Sequence, residues 1–130
     1  FVAAEDHAFF THSGISFRGI VRSFLVNLYN RRVVQGASTI TQQVARLLFL
    51  THERTMWRKI QEVFLAFNLE RLYTKHQILE LYLNNMYFGR GIYGVEAASQ
   101  RFWGKSITKI TLDEAATLAA VAKSAKFYYP

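Results

Sequence analysis

The sequence holds a single proline, and it is the last residue, Pro130. Proline ends helices by removing a backbone donor and clashing with the turn before it. The body of the chain is therefore free to be helical, and helix-starting signals are dense. Thr39 with Gln42, Thr74 with Gln77 and Thr111 with Glu114 repeat one device, each ahead of an apolar run. At that spacing the two side chains satisfy each other's backbone N–H groups at a helix start. Ser16 stands before Ile20, Val21, Phe24, Leu25 and Leu28, which fall at helical spacing. A long helix is expected from Arg54 to Tyr73. Gly89, Gly91 and Gly94 mark a loop after "NNMYF". Nothing alternates with period two for long, so the expected fold class is all-α. Short hairpin or extended pieces are admissible near "RRVVQGAS".

The length, 130 residues, suits one domain. With 51% hydrophobic and 15% aromatic residues it can bury a real core. No cysteine is present, which excludes disulfides and thiolate chemistry. Sixteen Lys and Arg against nine acids give a formal charge of +7. That excess suits a polyanionic partner: nucleic acid, anionic lipid or a phosphorylated substrate. No apolar run approaches the roughly 20 residues of a membrane-spanning helix. The chain opens in mid-pattern on Phe1 and closes on Pro130. We expect residues 1–130 to be one domain cut from a longer chain and truncated at both ends, its membrane anchor missing.

Four stretches could carry chemistry. In "VAAEDHAFFTHSG" Glu5 and Asp6 lie between apolar flanks, the setting of a cleft wall. His12 could orient a neighbour or bind a ligand, or be a plain structural hydrogen bonder; His7, His52 and His76 show no metal-ligand spacing with it. In "GASTITQQVARLLFL", with Ser38 or Thr39 as cap, helical spacing puts Thr39, Gln43 and Arg46 on one face and Ile40, Val44, Leu47 and Leu48 on the other. A hydroxyl, an amide and a guanidinium beside a helix N-terminus suit a phosphate. The bland alternative is a capped amphipathic helix with a solvated face. In "ERTMWRKIQEVFLAFNLE" Ile60, Val63, Phe64 and Phe67 form an apolar face. Glu62 sits on a second stripe with Leu65, Ala66 and Leu69, and Arg58 and Lys59 lie one turn before it, near enough to pair. An ordinary intrahelical salt bridge would use the same residues. Finally, Arg18, Arg22, Arg31 and Arg32 accompany Phe and Leu in a segment that could lie on an anionic bilayer or simply face water. "GRGIYG" has no phosphate-loop spacing and follows no strand.

Together these stretches resemble the glycosyltransferase domain of class A penicillin-binding proteins and monofunctional peptidoglycan transglycosylases, glycosyltransferase family 51. The first motif of that family, ED-x-x-F-x-x-H-x-G, is met by Glu5, Asp6, Phe9, His12 and Gly14. Its G-x-S-T-I-T-Q-Q runs from Gly36 to Gln43, its R-K-x-x-E is Arg58, Lys59 and Glu62, and its K-x-x-I-L-E-x-Y-L-N runs from Lys75 to Asn84. "GIYGVEAASQRFWGK" matches a weaker last segment. The chain departs from the pattern in two places: Arg46-Leu47 replaces the usual Lys-Asn, and Phe102-Trp103 replaces Tyr-Phe. Arginine keeps the charge with a different, forked geometry.

The resemblance implies a lysozyme-like helical lobe with a small membrane-facing jaw. It implies polymerisation of lipid II on the outer face of the bacterial cytoplasmic membrane, the periplasmic side. Glu5 would be the general base and Glu62 the second essential carboxylate. Asp6, Phe9, His12, Ser38, Thr39, Gln42, Gln43, Arg46, Arg54, Arg58 and Lys59 would serve substrate binding, with Arg46, Arg54 and the helix N-terminus near Thr39 on the pyrophosphate. No cofactor is obligatory, and a divalent cation (Mg or Mn) could assist at the pyrophosphate. The expected partners are lipid II, the growing strand and the membrane, with no nucleic acid and with a transpeptidase domain in a full-length bifunctional chain. Two other readings use the same residues. A lytic enzyme of the same architecture would cut strands, but it has no pyrophosphate to hold with the cations beside Glu62. A basic binding module for lipid or nucleic acid would gain nothing from paired carboxylates.

Overall fold

The computed structural model describes residues 1–31, 36–51 and 55–123. Its elements run in the order α1 (Val2–Glu5), α2 (Phe17–Tyr29), α3 (Ile40–Phe49), α4 (Met56–Leu72), α5 (Lys75–Asn85), α6 (Val95–Trp103), a 3-10 turn (Ile107–Lys109) and α7 (Leu112–Lys123). The all-α expectation holds, consistent with a lysozyme-like helical lobe. Among the described residues the only β pairing is a single antiparallel bridge between Tyr87 and Tyr93. Half of the stretch "RRVVQGAS", residues 32–35, lies outside the described residues.

The helix starts form as their side chains dictate. Ser16 accepts from Gly19 N at the head of α2. Thr39/Gln42 and Thr74/Gln77 close complete capping boxes on α3 and α5. Thr111 and Glu114 exchange the same pair of bonds before α7. The expected long helix starts later than Arg54: Thr55 caps it through Arg58 N and it spans Met56–Leu72.

Helix α3 is the central element, packed against both α4 and α5. Ile40, Val44 and Ala45 of α3 join Phe9, Leu69, Ile78, Tyr82, Phe88, Ala98, Leu118 and Val121 in one buried cluster. The loop after α1 lies directly on α4. Gly14 has φ +102°, and a Cβ there would stand 3.3 Å from the Ala66 backbone, so only glycine permits this approach.

Two of the apolar faces lie at the surface. The apolar face read on α4 points to solvent: Ile60 is 59% exposed, Phe64 69% and Phe67 44%. The buried stripe is instead Glu62, Ala66 and Leu69. This stripe packs against α3, whose Thr41 hydroxyl donates to Glu70 of α4. Leu47 and Leu48 of α3 are likewise exposed rather than core. With Phe17, Val21, Phe24, Leu25 and Leu28 of α2, also exposed, they leave more apolar surface uncovered than a lone soluble domain normally tolerates.

Candidate active site

Helix α1 is one turn long and ends at Glu5, with Asp6 following outside the helical conformation at φ −156° and ψ 74°. That bend sends the adjacent carboxylates to different tasks. Glu5 is half-buried, and its Oε2 accepts a hydrogen bond from Gln43 Nε2 at 3.2 Å. Asp6 turns inward and is only 6% exposed. Its Oδ2 accepts from His12 Nε2 at 2.8 Å and from Ile40 N at 3.0 Å.

The Asp6 contact corrects one expectation. Ile40 is the first residue of α3, so a buried protein carboxylate already occupies the helix N-terminus that sequence reading offered to a ligand phosphate. An anion there is favoured by the free N–H and the helix dipole, and Asp6 supplies it. The Thr39 hydroxyl is committed too. It accepts from Gln42 N and donates to Gly14 O at 2.6 Å, and Thr39 is 1% exposed. Gln42 is buried and its Oε1 accepts from Thr39 N at 2.9 Å. His12 completes the frame. Its Nδ1 accepts from Gly14 N at 3.0 Å, which leaves the ring proton on Nε2 for Asp6. Phe9 is fully buried beneath, with the Lys75 ammonium 4.5 Å from its ring centroid. Asp6, Phe9, His12, Thr39 and Gln42 therefore form a bonded frame that fixes α1 to α3.

Glu5 itself faces open space. A cavity of ≈ 440 Å³ is lined by Glu5, Arg22, Ser38, Gln43, Arg46 and Lys123, among others. A negative carboxylate thus shares its cavity with three cations from three helices. Tyr82 of α5 lies close by in the core. Burial pushes its phenol pKa well above the usual range, the Glu5 charge adds to the rise and Arg46 opposes it. It is therefore a neutral hydroxyl at any physiological pH.

Glu62 sits behind this cavity. It is completely buried. Lys59 Nζ donates to Glu62 Oε1 and to Ser38 Oγ, both at 2.7 Å. Glu62 therefore reaches the cavity through Lys59 and Ser38. The second carboxylate oxygen, Oε2, is buried without a partner, as is Arg58 Nε. The expected Arg58–Glu62 pair is absent; the ion pair goes to Lys59 at i−3. Arg54, the expected second pyrophosphate cation, lies outside the described residues, as do Arg32 and His52.

Sequence reading missed Arg22 and Lys123 as cavity residues. Arg22 was read only as part of a basic surface segment. Lys123 closes α7, where a cation ordinarily complements the helix dipole, so no local signal marked it. Among the described residues no three His, Asp or Glu converge as a metal site.

A carboxylate bonded to an amide thus faces three cations across a cavity on an all-α scaffold. The chain belongs to the transglycosylase family, whose model matches residues 1–130. It is 54% identical to penicillin-binding protein 1A of Aquifex aeolicus strain VF5 over 130 residues, all of this chain and 18% of that protein. It is 52% identical to penicillin-binding protein 1A of Rickettsia prowazekii strain Madrid E over 128 residues, 95% of this chain and 16% of that one. Against penicillin-binding protein 1A of Escherichia coli K12 the identity is 49% over 130 residues, 15% of the relative. The chain thus spans less than a fifth of the length of these curated relatives.

Proposed function

We propose that this domain polymerises lipid II into the glycan strands of peptidoglycan. The observation that carries the reading is the Glu5–Gln43 pair facing Arg22, Arg46 and Lys123 across one cavity. The GlcNAc 4-hydroxyl of the acceptor attacks the anomeric carbon of the donor MurNAc. Glu5 takes the hydroxyl proton as the new C–O bond forms. The bond to the diphosphate breaks, and undecaprenyl pyrophosphate leaves with the electron pair. Attack from the opposite face inverts the anomeric centre from α to β.

The geometry supports a division of labour. The Gln43 bond orients the Glu5 carboxylate for the proton it receives. A diphosphate is already a good leaving group, so the site needs charge stabilisation more than a general acid. Arg46, Arg22 and Lys123 supply it where the negative charge grows. Glu62 is too deeply buried to meet a sugar hydroxyl; it holds the Lys59 ammonium and, through it, Ser38 at the cavity wall. Donor-side binding by Arg54 belongs to the same proposal. A divalent ion, if the reaction recruits one, arrives with the diphosphate, whose oxygens would be its principal ligands.

The exposed apolar faces of α2 and α4, with Arg18 and Arg22 among them, support seating on an anionic bilayer beside the lipid-linked substrate. No helix among the described residues is long and apolar enough to cross a membrane. We place the domain on the outer, periplasmic side of the cytoplasmic membrane, within a longer chain that carries a transpeptidase. The test is incubation with fluorescent lipid II and sizing of the products. Glycan polymer is the expected product; fragments from added polymer, with none made from lipid II, would replace transfer with cleavage.

A further inference from the structure

Helix α2 stands apart from the rest of the fold. The other helices pack on one another, α3 against α4 and α5, and α6 against α5 and α7. Among the described residues α2 has no such extended interface. Its inward stripe is Gly19, Ser23, Val26 and Asn27, and of all its residues only Ser23 is buried. Its start is fixed by the Ser16 cap, where Gly19 N donates to Ser16 Oγ at 3.1 Å. Beyond that cap, burial of apolar area contributes little to where the helix sits.

The outward face is the opposite. Phe17 is 74% exposed, Phe24 65% and Leu28 64%. Val21 and Leu25 complete this apolar face, with Arg18 and Arg22 among them. A helix with one apolar face and cations beside it lies in the plane of an anionic interface.

Arg22 links that face to the chemistry. It lines the cavity of ≈ 440 Å³ with Glu5, Arg46 and Lys123. It also lines a groove of ≈ 620 Å³ on α2 itself, with Phe17, Val21 and Leu25. An arginine stem lies along apolar surface while its guanidinium reaches polar ground, so one side chain serves both. Arg46 stands on α3 and Lys123 on α7, helices held by the packed core. Of the three cavity cations, Arg22 is the one carried by a helix that the core does not hold. Arg46 and Lys123 repel it until a diphosphate lies between them.

Resting on the reaction proposed above, we infer that the bilayer is an activator of this site as well as its location: by seating α2 it holds Arg22 over the cavity of Glu5. Phe24 and Leu28 are then positioning residues for Arg22, acting through the helix they share with it. A surface that binds α2 in one orientation shifts the population toward the arrangement with all three cations in place. Away from a bilayer the site keeps Glu5, Arg46 and Lys123 and holds a diphosphate less firmly.

The test exploits the absence of cysteine, which lets spin labels be attached only at Tyr29→Cys on α2 and Ala116→Cys on α7. Vesicles of phosphatidylglycerol and phosphatidylethanolamine in equal parts should narrow the distribution of distances between the labels. Binding of inorganic pyrophosphate, measured by equilibrium dialysis, should tighten about tenfold on those vesicles, the effect of one guanidinium–phosphate bond. Arg22→Ala should lose that gain, Arg22→Lys should keep most of it, and Phe24→Ser/Leu28→Ser should need more vesicles to reach it. With a short-chain, water-soluble lipid II analogue, the first transfer should rise about tenfold on vesicles in wild type and by less than about twofold in Arg22→Ala. An unchanged label distance, an unchanged pyrophosphate affinity, or a gain that survives Arg22→Ala would overturn the inference. If anionic vesicles tighten pyrophosphate binding through Arg22 yet lipid II gives no polymer, the coupling stands and the proposed reaction falls.

Discussion

Asp6→Asn separates the framing carboxylate from its catalytic neighbour. Asp6 Oδ2 accepts two bonds, from His12 Nε2 and from Ile40 N, in a site 6% exposed. Asparagine is the same size but offers one acceptor oxygen and a donor amide. It also removes the charge that faces the α3 N-terminus. A hydrogen bond to a charged group contributes about 1.5–3 kcal/mol net, and the helix-terminus charge about 0.3–1 kcal/mol. With the amide oxygen in the place of Oδ2, both bonds persist in weaker neutral form, and with the helix-terminus charge gone the expected loss is about 2–4 kcal/mol. For 130 residues that corresponds to a fall in Tm of roughly 7–15 °C. Urea unfolding followed by circular dichroism measures it, and the midpoint should fall with m unchanged. A loss below about 0.5 kcal/mol, the range of an ordinary surface substitution, would refute Asp6 as the clamp between α1 and α3. Glu5→Gln should leave stability close to wild type in the same assay, because Glu5 is half-buried and makes one bond.

Arg46→Ala should lower both donor affinity and kcat, since a guanidinium bond to the leaving diphosphate strengthens toward the transition state; Arg46→Lys should recover much of the loss, and steady-state kinetics with donor and acceptor varied separately checks this. Replacing Phe24 and Leu28, both about two-thirds exposed on α2, with serine should weaken binding to anionic vesicles by roughly thirtyfold, or ~2 kcal/mol, read by flotation. Glu96 is held below the usual carboxylate range, first by the Ile107 N–H and then by Gln100, with Ser106 adding to it. A depressed folded pKa stabilises above the unfolded value and fades as pH falls through the folded one, so Glu96→Gln should flatten the acid-side loss of stability seen in a pH series of thermal melts.

The helix starts were legible because capping is local: a threonine and the residue three positions on decide it with little tertiary input. The burial of α4 was not. Its Ile60, Phe64 and Phe67 outweigh Ala66 and Leu69 in hydrophobicity, and hydropathy alone assigns the stronger stripe to the core. The stripe of Glu62, Ala66 and Leu69 is the buried one because α3 packs on that side of α4, a fact about the partner helix rather than about α4. The Glu5–Asp6 pair was recognisable as a cleft feature. The bend after Glu5 that separates the two residues, and the capture of the α3 N-terminus by Asp6, depend on contacts 34 residues apart. Lys123 and Arg22 join the cavity only through the folding together of helices far apart in sequence, and neither carried a local mark.

The central claim is that Glu5 removes the acceptor proton. The most direct measurement is the turnover of Glu5→Gln with lipid II beside its affinity for the lipid-linked donor. A general base contributes about 10²–10⁴-fold, so polymerisation should fall by at least about a hundredfold while donor affinity stays within about twofold. Glutamine keeps the shape and an oxygen for Gln43 but cannot take the proton. Turnover within about threefold of wild type would contradict the assignment and move the base to another residue of the cavity.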